Sequence, residues 1–431
     1  MRSRFLTSRD ENISSCIIHS NTKVIYANAF SNCTSLTDVT IPDGVWEIGV
    51  AAFHSCTSLI SITIPDSVTL IDSSAFANCT SIKSAVIGDS VTNIGGNAFE
   101  NCRSLTTLTI GGSVTYIGPE VFYECYSLKD IYYTSDIEGW CNIYFEDGLF
   151  EGSNPMDYGE CIYIDNKRLS EVVIPNSVMS LENTFAGWSW LEKVIIPDSV
   201  VVIGGAAFAN CTALKNISLP NSIATIGGEA FMYCESLQSV TIPDSVTSIG
   251  LQAFYCCTSL ENVTIPDSVT SIGTEAFYNC RSLKSIKIPD CVNGLGGGIF
   301  SYCYSLMNVE LGNSITELPS SSHHWGFNVY GMFNACTSLE SIVIPESVNI
   351  IDECAFAGCT SLTSVTIPKS VTTICDKAFR HCTSLTSINY EGTKAQWDEI
   401  FKGSYWNDET GTYTIYCTDG TIVKDGTVTY Y

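Results

Sequence analysis

Twenty-one cysteines, five histidines and forty-five carboxylates give this chain material for metal ligation, redox exchange or acid–base catalysis. Spacing decides which of these the residues are arranged to do. Thirteen cysteines fall into one slot: Cys33, Cys56, Cys79, Cys102, Cys125, Cys211, Cys234, Cys257, Cys280, Cys303, Cys336, Cys359 and Cys382. A thiol that returns at a fixed period occupies a packing position, where a small buried sulfur is a weak donor to backbone carbonyls. The other eight, Cys256 beside Cys257 among them, form no Cys-x-x-Cys or zinc pattern. So many thiols point to a reducing or anaerobic setting. The histidines at 19, 54, 323, 324 and 381 form no constellation with a nucleophile, and His323–His324 has no metal-ligand partner at suitable spacing. No serine elbow, HExxH, P-loop or dinucleotide fingerprint occurs, and the glycine-rich stretch 294–300 falls in the register of a repeat. The expectation is a chain with no enzyme activity, no cofactor and no metal.

The carboxylates also follow a period. Asp43, Asp66, Asp89, Asp198, Asp244, Asp267 and Asp290 each sit in a turn, where a side-chain oxygen caps the backbone. Such a row stacks like charges along one edge. It lacks the run of oxygens from one segment that a rigid calcium loop needs. The net charge of −25 disfavours phosphate backbones and anionic lipid, so neither nucleic acid nor a membrane surface is an expected partner. No stretch reaches the roughly 20 apolar residues that span a bilayer. The first sixteen residues, MRSRFLTSRDENISSC, contain no apolar core of a signal peptide.

The unit that positions all of these is 23 residues long. Phe30, Phe53, Phe76, Phe99 and Phe122 are each 23 apart, and Phe208, Phe231, Phe254, Phe277 and Phe300 repeat the interval, as do Phe333, Phe356 and Phe379. In one copy, alternation directs Leu260, Val263 and Ile265 inward and Asn262 and Thr264 outward. Pro266 ends the strand and Pro-Asp-Ser turns the chain. A second extended piece buries Val269 and Ile272, Gly273 permits a tight bend, and 275–280 is read as about one helical turn burying Ala276, Phe277 and Cys280. One copy cannot bury these residues alone. Stacked copies form a continuous core.

The recurring phrase IPxSVTxIGxxAFxxCxSLxxVxI resembles the BspA-like leucine-rich-repeat family, named for bacterial surface adhesins, over nearly all of residues 13–390. The fold class is then α/β: a right-handed leucine-rich-repeat solenoid, a curved parallel β-ladder with a short helical or irregular convex side, of about 16 repeats of 23 residues. The resemblance implies a surface-exposed or secreted protein that binds host or matrix proteins without catalysis. The missing signal segment leaves a cytoplasmic scaffold open as well.

The boundaries follow from breaks in the period: 1–12 unpatterned, 13–133 a first array, 134–168 a Trp-containing insertion, 169–390 a second array with a loop insertion at 319–332, and 391–431 a C-terminal cap. Ile131, Tyr133, Trp140 and Ile143 match Ile388, Tyr390, Trp397 and Ile400 in spacing, so both segments are read as a short amphipathic helix followed by extended pieces. The internal copy either ends a first array or bulges from one continuous coil.

Two sets of residues are candidates for contact. On the concave strand face, Thr40, Ser61, Thr63, Thr107, Thr109, Tyr132, Asn216, Ser218, Ser239, Thr241, Asn262, Thr264, Ser364 and Thr366 point outward. Short hydroxyls and amides stabilise a sheet by pairing across strands, and they also make a flat face that a large partner can cover. In the loop insertion, His323, His324, Trp325, Phe327 and Tyr330 form either an exposed hot spot or a cluster folded back on the convex side. The expected function is a monomeric, non-enzymatic protein-binding scaffold at the cell surface. A glycan-binding module is the alternative and requires aromatic platforms, of which Tyr132 is the clear one.

Overall fold

The computed structural model of the chain describes residues 13–146, 152–322, 329–424 and the backbone of 428–430. It is a parallel-strand β-solenoid of about 17 turns of ~23 residues with few helices. The inward set is as the alternation requires. Leu260, Val263, Ile265, Val269, Ile272, Ala276, Phe277 and Cys280 are all buried, while Asn262 and Thr264 are exposed on either side of Val263.

Two compact units are present, Met1–Val178 with Glu182–Trp188, and Met179–Leu181 with Ser189–Tyr431. In the first, strands Ser61–Ile64, Ser84–Ile87, Thr107–Ile110, Asp130–Tyr133 and Cys161–Ile164 form one parallel ladder. A second ladder of two-residue strands runs from Val24–Ile25 to Tyr144–Phe145. The other unit repeats the plan with Lys193–Ile195, Asn216–Ser218, Ser239–Thr241 and Asn262–Thr264, and again from Ser341–Val343 to Thr414–Cys417. There the antiparallel strands Gly420–Val423 and Val428–Tyr430 continue the sheet.

Residues 134–164 close a turn of their own. After helix Ile137–Cys141, Tyr144–Phe145 joins the short ladder beside Tyr116–Ile117, and Cys161–Ile164 pairs in parallel with Asp130–Tyr133. The C-terminal twin does the same, with helix Lys394–Glu399, Phe401–Lys402 on Thr373–Ile374, and Thr414–Cys417 on Ser387–Tyr390. Each of these two segments adds a parallel strand outside the regular period.

The segment read as a helical turn is instead a chain of turns with two left-handed residues, four apart, in nearly every copy. Gln252 and Cys256 have φ of 52° and 58°, and Glu275 and Asn279 have 55° and 58°. The reason lies in the hydrogen bonds. Gln252, Phe254 and Cys256 donate their N–H to Thr274, Ala276 and Tyr278 of the next copy, at 2.9, 2.8 and 2.8 Å, while Tyr255 and Cys257 donate within their own turn. An α-helix would point its amides along its own axis and not sideways toward the neighbouring copy. Alternating handedness lets each copy hydrogen-bond to the next.

Gly273 also has a different role from the one its position suggests. A Cβ there would stand 2.4 Å from the Leu251 nitrogen and 2.5 Å from the Gly250 carbonyl carbon, so the glycine permits close stacking of copies. Its backbone is not left-handed. The turn aspartates likewise reach across copies: Asp66 accepts from the Asp89 N–H at 2.9 Å, and Asp290 from the Asn313 N–H at 2.8 Å.

Cysteine and phenylalanine fill the core along the stack. From Cys56 to Cys125 and from Cys234 to Cys382 each slot sulfur donates to the carbonyl of the phenylalanine in the preceding copy, as from Cys257 to Phe231 at 3.1 Å and Cys382 to Phe356 at 3.1 Å. Burial pushes the Cys257 and Cys280 thiols well above their ordinary range, and that of Cys234 up to about 12. A protonated, enclosed thiol is a poor nucleophile. In native protein at pH 8, a bulky aromatic disulfide reagent should react quickly with exposed Cys291 and slowly with half-buried Cys16, Cys33 and Cys375. The other twelve slot cysteines, all buried, should titrate only in denaturant. A fast phase that includes them would mean the core is not closed.

Candidate functional site

The outward residues of the main ladders stand in straight columns because the period is constant. In the first unit, Thr63 is opposite Val86, Val86 opposite Thr109, Thr109 opposite Tyr132, and Tyr132 opposite Tyr163. The parallel column runs Ser61, Ser84, Thr107, Asp130 and Cys161. Thr40 lies beside Ile17, which is 84% exposed. Ser61 and Thr63 are exposed, whereas Thr107, Thr109 and Tyr132 are half-buried.

The second unit has two such patches. One runs Asn216, Ser239 and Asn262 beside Ser218, Thr241 and Thr264, all six exposed. The other runs Ser341, Ser364, Ser387 and Thr414 beside Val343, Thr366, Asn389 and Tyr416. Ser364 and Thr366 are half-buried there. Ser239 donates to Asn216 at 3.3 Å, an instance of the sheet-stabilising pairing expected of such residues.

Hydroxyl spacing alone does not reveal the apolar part of this face. Val86, Ile195 and Val343 occupy outward positions with their side chains exposed, Val343 by 65%. Tyr163 and Tyr416 stand in the same column as Tyr132 and Asn389. Their signal in the sequence is the Ile-Tyr pair that follows each Trp-containing helix, at 162–163 and 415–416. Tyr132 and Tyr163 stack at 4.8 Å and 10°, so each turns a ring face to the other.

The loop candidates separate. His323, His324, Trp325 and Phe327 lie outside the described residues. Tyr330 belongs to a small antiparallel hairpin, Ser321–Ser322 with Val329–Tyr330, and folds back edge-on to Tyr278 at 5.4 Å and Tyr302 at 5.8 Å. At the foot of this insertion the Ser320 hydroxyl and N–H donate to Asp352 at 2.7 and 3.0 Å. Burial opposes ionisation of Asp352, yet these bonds and the Glu353 N–H hold its carboxyl below the ordinary range.

Among the described residues, no group of three or more His, Cys, Asp and Glu side chains is placed to hold a metal ion. No helix among them is long and apolar enough to cross a membrane. What the geometry offers in each unit is a set of outward side chains held in register over several strands.

Parallel ladders on a constant period, closed over stacked phenylalanines, define a leucine-rich-repeat solenoid. The chain belongs to the family described as BspA type leucine rich repeat region, whose profile matches residues 7–148, 158–259, 224–325 and 330–414. Proteins of this family and fold are repeat scaffolds. A leucine-rich repeat protein from Bacteroides ovatus is similar at 26% identity and TM-score 0.53, with 95% of this chain and 96% of that one covered. A leucine rich cell surface protein from Faecalibacterium prausnitzii is 28% identical over 90% of this chain and 91% of that one, at TM-score 0.46. The pneumococcal vaccine antigen PcpA shares the fold at 18% identity and TM-score 0.50, covering 95% and 90%. No curated protein matches the chain.

Proposed function

We propose that the chain is a non-enzymatic protein-binding scaffold at the cell surface, and that it takes a host or matrix protein on its outward strand columns. The observation that carries this reading is the composition of those columns. Small hydroxyls and amides keep the face flat, and the exposed Val86, Ile195 and Val343 add apolar area that a protein partner would cover. Membership of a family named for surface adhesins supports the location.

The face can be tested without disturbing the core, because Thr241, Val343 and Val86 point outward with their side chains exposed. Thr241→Glu, Val343→Glu and Val86→Glu each place a charge in a different patch. The purified chain, passed over immobilised matrix proteins, should bind at least one of them. At least one variant should bind that partner about tenfold more weakly, equivalent to about 1.4 kcal/mol, with thermal midpoint unchanged. If all three bind as the parent does, or the parent binds none, the strand face is not the site. Protease shaving of intact cells tests location separately, since a surface protein loses its peptides to the medium.

A further inference from the structure

One dipeptide of the second unit departs from its columns. Thr247 and Thr270 of two preceding copies give way to Asn293, and Ser248 and Ser271 give way to Gly294. No other asparagine of the chain precedes a glycine. Asparagine is thermolabile, because the backbone nitrogen of the following residue can attack its side-chain amide. A Cβ on that residue crowds the attack, and glycine has none.

The fold leaves this pair open to reaction. Asn293 is exposed to water and Gly294 is half-buried. Strand Gly294–Leu295 pairs with Ser271–Ile272 and is the last of its six-stranded ladder. The next short strand, Glu317–Leu318, pairs instead with Ile350–Ile351. The Gly294 nitrogen therefore has one tie, a 3.1 Å bond to the Thr270 carbonyl, at the end of a ladder where local opening costs least. Asparagines that precede serine are more firmly held. Asn313 donates its N–H and its side-chain amide to Asp290 at 2.8 and 3.2 Å. After Asn221 and Asn176, the Ser222 hydroxyl donates to the Val200 carbonyl at 2.6 Å and the Ser177 hydroxyl to Glu138 at 2.7 Å.

We propose that Asn293–Gly294 is a self-modifying site, which deamidates in the folded chain with water as the only co-reactant. The Gly294 nitrogen forms a bond to Asn293 Cγ, the Cγ–Nδ2 bond breaks, and ammonia leaves with the Gly294 amide proton. Water then opens the cyclic imide at one carbonyl or the other, which yields aspartate or isoaspartate. Either product adds a negative charge to the copy that carries Asp290. Isoaspartate also adds a carbon to the main chain beside the end strand. A pairing of two residues cannot absorb that carbon, so the ladder loses its last strand as the molecule ages.

The test holds the full chain at pH 8 and 37 °C for several weeks and follows it by peptide mapping with mass spectrometry. Chain unfolded in urea is the positive control. In the folded sample the peptide containing Asn293 should gain one mass unit, and an isoaspartyl methyltransferase should label it. The peptides containing Asn176, Asn221 and Asn313 should lag behind. Asn293→Thr, the residue of the preceding copies, should abolish the gain. Gly294→Ser should slow it about tenfold, equivalent to about 1.4 kcal/mol on the barrier. Circular dichroism checks that both variants fold. Hydrogen exchange of the aged chain should show lost protection at 271–272 and 294–295. The proposal is overturned if Asn293 changes only in urea, if the asparagines before serine change as fast, or if Gly294→Ser leaves the rate unaltered. Unchanged exchange in a fully modified chain overturns the loss of the strand.

Discussion

Phe254→Ala should destabilise the second unit by about 3–5 kcal/mol, the cost of emptying a fully enclosed aromatic site. The ring is buried and stacked on both sides, 5.2 Å from Phe231 and 5.2 Å from Phe277, at 9° and 3°. Each stacked pair adds roughly 0.5–1.5 kcal/mol beyond the area it buries. Relaxation into the cavity is limited, because the backbone around the ring is fixed on both flanks by amides bonded to adjacent copies. The loss also falls on the coupling between neighbouring copies, on which the cooperativity of a solenoid depends. Chemical denaturation should therefore show a lower midpoint and a broadened or split transition. Phe30→Ala is the control: that ring stacks on Phe53 at 4.9 Å and is slightly exposed, so its loss should cost less. A change below about 1 kcal/mol for Phe254→Ala would contradict the stacked-ring core, since Phe-to-Ala substitutions in closed cores cost several times that.

The phenylalanine column was legible because its signal is periodic, and a period survives whatever a single copy does. The same is true of the slot cysteines, and of Val263, Val269 and Ile272, whose burial follows from alternation along one stretch. Three features were not legible, each for a physical reason. The left-handed pairs, such as Glu275 with Asn279, carry no consistent residue type: asparagine tolerates that conformation best, yet Gln252, Tyr233 and Cys256 adopt it too. Bonding between copies fixes the backbone there, and one copy cannot display it. The role of Gly273 depends on the approach of the preceding copy, for the same reason. The cleft beside the 319–332 insertion draws Tyr302, Asn334, Glu353, Lys377 and Arg380 from four successive copies, so no motif within one copy brings them together.

The second large effect concerns the two Trp-containing turns, whose matched spacing conceals a difference in how each is held. Trp140 is fully buried, packs against Tyr133, Phe145 and Trp188 at 5.6, 5.6 and 6.1 Å, and donates its indole N–H to the Thr184 carbonyl at 2.8 Å. Trp397 meets Tyr390 at 5.2 Å and Trp406 at 6.2 Å, with the Lys402 ammonium 4.9 Å from its ring. Trp140→Ala should cost about 3–5 kcal/mol for the cavity, and leaving the Thr184 carbonyl unpaired adds about 1–3 kcal/mol. The damage should be confined to the first unit, because every one of those partners belongs to it. Hydrogen exchange should then show lost protection over 130–146 and 182–188, with the ladder from Ser341–Val343 onward unaffected. Trp397→Ala should do the reverse, exposing 387–417 and sparing the first unit. Matching exchange patterns in the two variants would show that the coil opens as one body, whereas separate patterns would mark 134–164 as the closing turn of a unit stable in its own right.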